Sequence, residues 1–163
     1  MAGSRSVLLL LGSNLNNPLS QLKIARRLIS NQLAKIKNAS SIYKTSAWGN
    51  TRQPAFMNQV VEIISSRPPL KILEIVKNIE RIMGRLVSVH WGPRIIDIDI
   101  LFCGKEIIKT KSLTVPHKAM QDRMFTLIPL QELKPRLIHP QSKKSIQMMI
   151  ASCTDQGQVK KIR

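Results

Sequence analysis

The sequence predicts an α+β domain whose elements run β-α-β-β-α-β, followed by a C-terminal extension of short elements. Three observations predict it. Two stretches carry apolar residues at helical spacing, and four are rich in strand formers. Cap and turn residues separate these stretches in that order. Hydrophobic residues make up 43% of the 163 positions, enough for one continuous core. No repeat, low-complexity tract or Gly/Ser linker interrupts them, so residues 1–163 read as a single domain.

Val7 to Leu11 is a short apolar run that reads as a buried strand, and Gly12-Ser13-Asn14 turns the chain out of it. Asn17-Pro18 supplies an N-cap and a proline at the first helical position. Leu22, Ala25, Leu28, Ile29, Gln32, Leu33 and Ile36 then follow helical spacing, with Lys23, Arg26, Arg27 and Lys35 on much of the opposite face. A strand is expected near Ser40 to Thr45, a loop through Trp48-Gly49-Asn50 and Gln53-Pro54, and a second strand from Phe56 to Ile64. Pro68-Pro69 opens a helix on which Ile72, Ile75, Val76, Ile79, Ile82 and Met83 recur, and Gly84 stops it. Ile95 to Phe102 completes the set as a strand, giving the ferredoxin-like pattern. Beyond Gly104, the X-Pro steps at Pro116, Pro129 and Pro135 argue for turns, and a last helix is expected from about Ser142 to Ala151.

Charge narrows the partners without naming one. Lys and Arg number 26 against 9 Asp and Glu, a net +17 that attracts polyanions, nucleotide phosphates or anionic membrane. The basic residues are spread along the chain rather than gathered into a tail, so composition alone also accounts for them. No apolar run approaches a membrane span, and the stretch after Arg5 is too short for a signal-peptide core. Cys103 and Cys153 are too few for a disulfide framework and lack metal-ligand spacing, which makes a reducing cytoplasm the default. RNA-binding sheets place stacking aromatics on their central strands, but Val7 to Leu11 has none and the chain is only 4% aromatic; nucleic acid is not expected as a partner.

The sharpest chemical signal is Ile96-Asp97-Ile98-Asp99-Ile100, which holds two of the chain's four aspartates. On a strand the side chains alternate, so both carboxylates leave one face and the isoleucines the other, with the two Asp Cα atoms roughly 7 Å apart by strand rise. Such a pair repels itself unless a cation neutralises it, and Mg²⁺ favours a few carboxylates plus substrate phosphates. A solvated acidic sheet face has the same spacing. The neighbours add context: Gly84-Arg85, His90-Trp91-Gly92-Pro93-Arg94, and later Val115-Pro116-His117 with Arg123-Met124-Phe125. Arginines beside a carboxylate–metal site can neutralise a transferring phosphoryl group, although each could instead be a structural ion-pair partner. No P-loop, zinc spacing or local Ser/His/Asp signature is present.

Several strings, in order over nearly the whole chain, resemble the 6-hydroxymethyl-7,8-dihydropterin pyrophosphokinase family. They are Leu11-Gly-Ser-Asn-Leu15, Tyr43-Lys-Thr45, Gln53-Pro-Ala-Phe-Met-Asn58, Glu80 with Gly84-Arg85, Trp91-Gly-Pro-Arg-Ile-Ile-Asp-Ile-Asp99, and Val115-Pro-His117 through Phe125. The resemblance implies transfer of the pyrophosphoryl group of ATP to the pterin hydroxymethyl oxygen, with release of AMP. It implies Asp97 and Asp99 as holders of two Mg²⁺ ions, and Arg85 and Arg94 as catalytic arginines on the phosphates. His117, Arg123, Thr114 and Ile98 fall to the ATP side, and Thr45, Ser46, Trp48, Phe56, Asn58, Trp91 and Phe125 to the pterin. Small-molecule substrates, no membrane partner and a monomer are what it further implies.

One stretch departs from the family pattern. The segment between Gly84 and Trp91 is one residue shorter than expected, and Val87 and His90 stand where many relatives carry arginine. Weaker nucleotide binding than in an arginine-rich relative is the expected consequence. Equal ATP affinity in the native chain and a Val87→Arg variant would contradict it.

Overall fold

The computed structural model describes residues 3–49, 51–85 and 92–162. Its elements are β1 (Arg5–Ser13), α1 (Pro18–Gln32), β2 (Ile36–Ala39), β3 (Tyr43–Thr45), β4 (Phe56–Ser65), α2 (Pro69–Ile82), β5 (Asp97–Cys103), β6 (Ile108–Lys109), β7 (Thr114–Val115), α3 (Met124–Leu133), α4 (Ile146–Ser152) and β8 (Val159–Lys161), with a 3₁₀ turn at Met120–Asp122. The main sheet is antiparallel in the order β5-β1-β4-β3-β8, with β2 also paired to β4.

The apolar run of β1 is explained by burial on both faces. Val7, Leu9 and Leu11 pack with Leu22, Ala25 and Ile29 of α1 and Ile72, Val76 and Ile79 of α2. Leu8 and Leu10 join Val60, Phe102, Leu127, Leu130 and Met149 beneath α3 and α4. The result is a three-layer arrangement with helices on each side of one sheet. Asn17 caps α1 as its sequence suggests, its Oδ1 accepting from Ser20 N–H at 3.1 Å with Pro18 inside the first turn.

Four expectations need correction. Ile36 is not part of α1: the helix ends at Gln32, and Ile36 pairs with Ile63, so its helical spacing reflects tertiary burial against the same core. The strand expected at Ser40 to Thr45 is shorter, Tyr43–Thr45, and a separate strand, β2, precedes it at Ile36–Ala39; between them Ser40 Oγ takes the Val60 N–H at 3.0 Å. Pro129 lies within α3 rather than at a turn. Thr126, Leu127, Pro129 and Leu130 are all buried there, and that packing offsets an interior proline's cost of about 3 kcal/mol. The last helix is shorter than expected, Ile146 to Ser152, capped by Ser145 Oγ. β8, on the outer edge of β3, has no counterpart in the sequence reading; three residues with two lysines carry too little pattern.

Candidate active site

The site grows out of strand register. Gly12 of β1 stands opposite both Asn58 of β4 and Asp97 of β5, and Leu10 stands opposite Asp99. Neighbours across antiparallel strands share a face, so the two carboxylates, Gly12 and Asn58 project together. α3 and α4 cover Leu8, Leu10, Val60 and Phe102 on that face and leave its other end open. Gly12 is required by close approach: a Cβ there would come within 2.6 Å of Asn58 Oδ1. Asn58 in turn donates from Nδ2 to Thr45 Oγ1 at 2.7 Å, and both side chains are buried.

The open end is a cleft lined by Thr45, Ser46, Trp48, Phe56, Asn58, Arg94, Asp97, Asp99, Arg123 and Phe125, together with Leu10, Gly12 and Gly92. Every described residue assigned to the pterin from the sequence lines it; Trp91, Val87 and His90 lie outside the described residues. A second recess on the far side of β5 is lined by Lys77, Ile98, Asp99, Thr114 and His117. Asp99 lines both, so the acidic pair sits where the two meet. Of the residues assigned to ATP, Ile98, Thr114 and His117 line this recess, whereas Arg123 lines the first cleft.

β5 is an edge strand, and its outward amide at Ile98 needs a partner. Glu80 of α2 supplies one, its Oε1 accepting from Ile98 N–H at 2.7 Å. The other oxygen pairs with Arg85 Nη1 at 2.6 Å, and the same Nη1 stands 3.0 Å from Asp97 Oδ1. Glu80 is 2% exposed, and burial raises its pKa against the opposing pull of Lys77. It is the residue that fixes the backbone between the two aspartates. Sequence reasoning gave it no role. The signal was available: Glu80 falls four residues after Val76 on the buried stripe of its helix, where an acid is out of place unless bonded.

Asn14 is the second residue missed. Arg94 N–H donates to Asn14 Oδ1 at 2.7 Å and Asn14 N–H to Arg94 O at 3.0 Å. Asn14 Nδ2 reaches Gln53 Oε1 and Pro54 O, each at 3.0 Å. Read as a turn former, it instead ties the end of β1 to the segments on either side of the cleft.

Electrostatics separate Asp99 from ordinary surface acids. Burial, then the charge on Asp97, pushes the Asp99 carboxyl up to about 6, despite Lys77, Arg123 and Arg85 nearby. An acid pair under that strain fits a divalent cation, which would remove the repulsion. Among the described residues no group of three or more His, Cys, Asp or Glu side chains is arranged to hold a metal. Two carboxylates therefore leave the remaining positions to water and substrate oxygens, the habit of Mg²⁺. Desolvation, reinforced by Arg123, Lys118 and Lys77, drops His117 to about 4. Its Nδ1 accepts from Ala119 N–H at 3.3 Å, so the neutral ring carries its proton on Nε2 and can donate from there. Arg123 is held by rings rather than by carboxylates: its guanidinium carbon lies 4.8 Å from the Trp48 centroid and 5.7 Å from that of Phe125. Its Nε is buried and has no hydrogen-bond partner among the described residues.

The family model for 7,8-dihydro-6-hydroxymethylpterin-pyrophosphokinase matches residues 8–135. The chain belongs to this family. Among relatives of this pyrophosphokinase family, 2-amino-4-hydroxy-6-hydroxymethyldihydropteridine pyrophosphokinase of Haemophilus influenzae is 42% identical over 134 residues, covering 81% of this chain and 83% of that one. The protein of the same name from Aquifex aeolicus is 39% identical over 142 residues, covering 86% and 88%. A bifunctional mitochondrial folate synthesis protein of Arabidopsis thaliana is 37% identical over 127 residues but only 23% covered. The fold also matches a solved chain described as HPPK-DHPS in complex with substrates, with a TM-score of 0.74 at 19% identity. That match covers 92% of this chain and 43% of the solved one, and speaks for the fold alone.

Proposed function

We propose that this chain transfers the pyrophosphoryl group of ATP to the hydroxymethyl oxygen of 6-hydroxymethyl-7,8-dihydropterin, releasing AMP, in folate biosynthesis. Family membership and the named relatives support the reaction. The observation that carries the residue assignment is the position of Asp99 on both the cleft and the recess, with Asp97 beside it.

In this reading the pterin lies in the cleft, between the rings of Trp48, Phe56 and Phe125, with Thr45, Ser46 and Asn58 reading its polar edge. Trp91 is assigned to the same group from its motif. ATP lies along the recess against Ile98, Thr114 and His117, its phosphates directed toward Asp99. Asp97 and Asp99 would hold two Mg²⁺ ions, which would supply Lewis-acid activation of the attacking hydroxyl and neutralise phosphate charge. Arg85, paired with Asp97 and Glu80, would place its charge beside the phosphates, and Arg94 would face them from the cleft wall. Arg123, stacked rather than ion-paired, offers its donors to an anion, and His117 donates from Nε2. The chain's own contribution is thus placement and charge, as pyrophosphoryl transfer requires.

The frame β1-α1-β2/β3-β4-α2-β5 we read as ferredoxin-like, supported by the order β5-β1-β4 with β2 and β3 sharing the next place. No described helix is long and apolar enough to cross a membrane, and both cysteines are free. A single-domain cytoplasmic monomer is the form we assign, and a stable dimer in sedimentation would overturn it. The deciding experiment incubates the protein with ATP, Mg²⁺ and hydroxymethyl dihydropterin and measures AMP. No pterin-dependent AMP would overturn the reaction; undiminished AMP from an Asp97→Ala protein would overturn the metal assignment.

A further inference from the structure

Asp155 takes no part in the chemistry above, yet it holds the segment that carries two of the side chains involved. α3 opens at Met124 with Arg123 in the capping position, and no side chain of that turn caps it. Met124 N–H donates instead to Asp155 Oδ2 at 2.9 Å, a partner 31 residues along the chain. Asp155 Oδ1 accepts from Gly157 N–H, also at 2.9 Å. A Cβ at Gly157 would stand 3.1 Å from that oxygen, so the turn closes tightly on the carboxylate.

The same segment is stitched to the opposite wall of the cleft. Gln158 N–H donates to Ser46 Oγ at 3.0 Å, and Ser46 N–H to Gln158 O at 3.1 Å. Val159 then pairs with Thr45 as β8 joins β3. Residues 155–159 form a strap tied to α3 at one end and to β3 at the other.

Under the strap lies a cavity of about 400 Å³, walled by Trp48 and Phe125 on one side and by the strap on the other. Those two rings also line the cleft, so they are a partition with space behind it. A partition of that kind holds its position only if its ends are fixed. Asp155 fixes the Phe125 end. The strap lies beyond residue 135, where the family match stops.

We propose that Asp155 is a positioning residue for the pterin: by holding the first amide of α3 it sets Arg123 and Phe125 against Trp48 and fixes the width of the cleft. The proposal rests on the reading that the heterocycle occupies that cleft. The test is steady-state AMP release and thermal melting of the full chain as parent, Asp155→Ala, Asp155→Asn, Gln156→Ala and Asn58→Ala. Asp155→Ala is expected to raise the pterin KM roughly 5- to 20-fold with kcat within about 3-fold, the scale of a lost helix cap directed at binding. Asp155→Asn keeps an acceptor oxygen and recovers most of that loss, while Gln156→Ala, exposed on the same strap, leaves both constants unchanged. A pterin KM within about 2-fold of parent in Asp155→Ala overturns the proposal, as does a kcat that falls only in step with melting at constant KM. A raised KM in Asn58→Ala with none in Asp155→Ala sinks the positioning role alone. No change in either sinks the cleft assignment and this proposal with it.

Discussion

Glu62 on β4 and Asp99 on β5 stand on the same face of one sheet, opposite Leu8 and Leu10 of the strand between them. Their surroundings differ completely. Glu62 accepts from Ser6 Oγ at 2.6 Å and Asn38 Nδ2 at 2.7 Å, and Lys134, just past the end of α3, places Nζ 2.6 Å away. Burial alone would raise its pKa, but these partners outweigh burial and hold it at about 2. Asp99 has burial and a like charge beside it, and goes up to about 6. A carboxylate with its partners built in serves the fold. One left short of them in a cleft marks the place where a ligand completes the charge.

The largest break in that comparison is chemical. Asp97→Ala or Asp99→Ala is expected to lower AMP release by at least roughly 10²-fold, the scale of losing one preorganised charge-stabilising group, while far-UV dichroism stays native. Glu62→Ala should do the reverse. Leaving Lys134 without its buried partner is expected to cost about 3 kcal/mol in denaturant unfolding, with KM for either substrate unchanged. A change in KM there would join the two regions that the structure keeps apart.

Asp99→Asn sharpens the contrast further, because it is expected to stabilise the metal-free protein at pH 8 by on the order of 2 kcal/mol. Added Mg²⁺ should narrow the gap, since only the native pair binds it. The folded Asp99 pKa lies above the ordinary 3.8, so its penalty grows as pH rises from about 4 through about 6 and is full above that. Glu62 behaves oppositely: its contribution is present above about 4.5 and lost as pH falls through about 2. In chelator, the stability gap between Asp99→Asn and the native protein should therefore narrow as pH falls from 7 to 5, because the cost of protonating the buried His117 over that range is common to both. The smallest effect belongs to His117→Asn, where loss of one Nε2 donor is expected to raise the ATP KM roughly 3- to 10-fold. With His117 at about 4, that ratio should not vary between pH 6 and 8.

Much of this was legible in the chain because it depends on local period. The spacing in Asp97-Ile98-Asp99 puts both acids on one face of any strand, and Asn17-Pro18 starts a helix wherever it lies. Helical spacing located α1 and α2, yet carried Ile36 into a helix when β4 had a ladder place for it. Pro129 misled for the same reason, since a local rule met a buried helix face.

The sequence by itself determined the acidic pair, its strand, and which arginines, aromatics and histidine are candidates to serve it. Only the tertiary structure decided that Glu80 would hold the amide between the two acids, that Asn14 would tie the cleft walls, and that Asp155 would cap a helix 31 residues upstream. The physical reason is the same for all three. A side chain's partner across the fold is set by which backbone groups an edge strand or a helix end leaves unpaired, and that is known only once the elements have met.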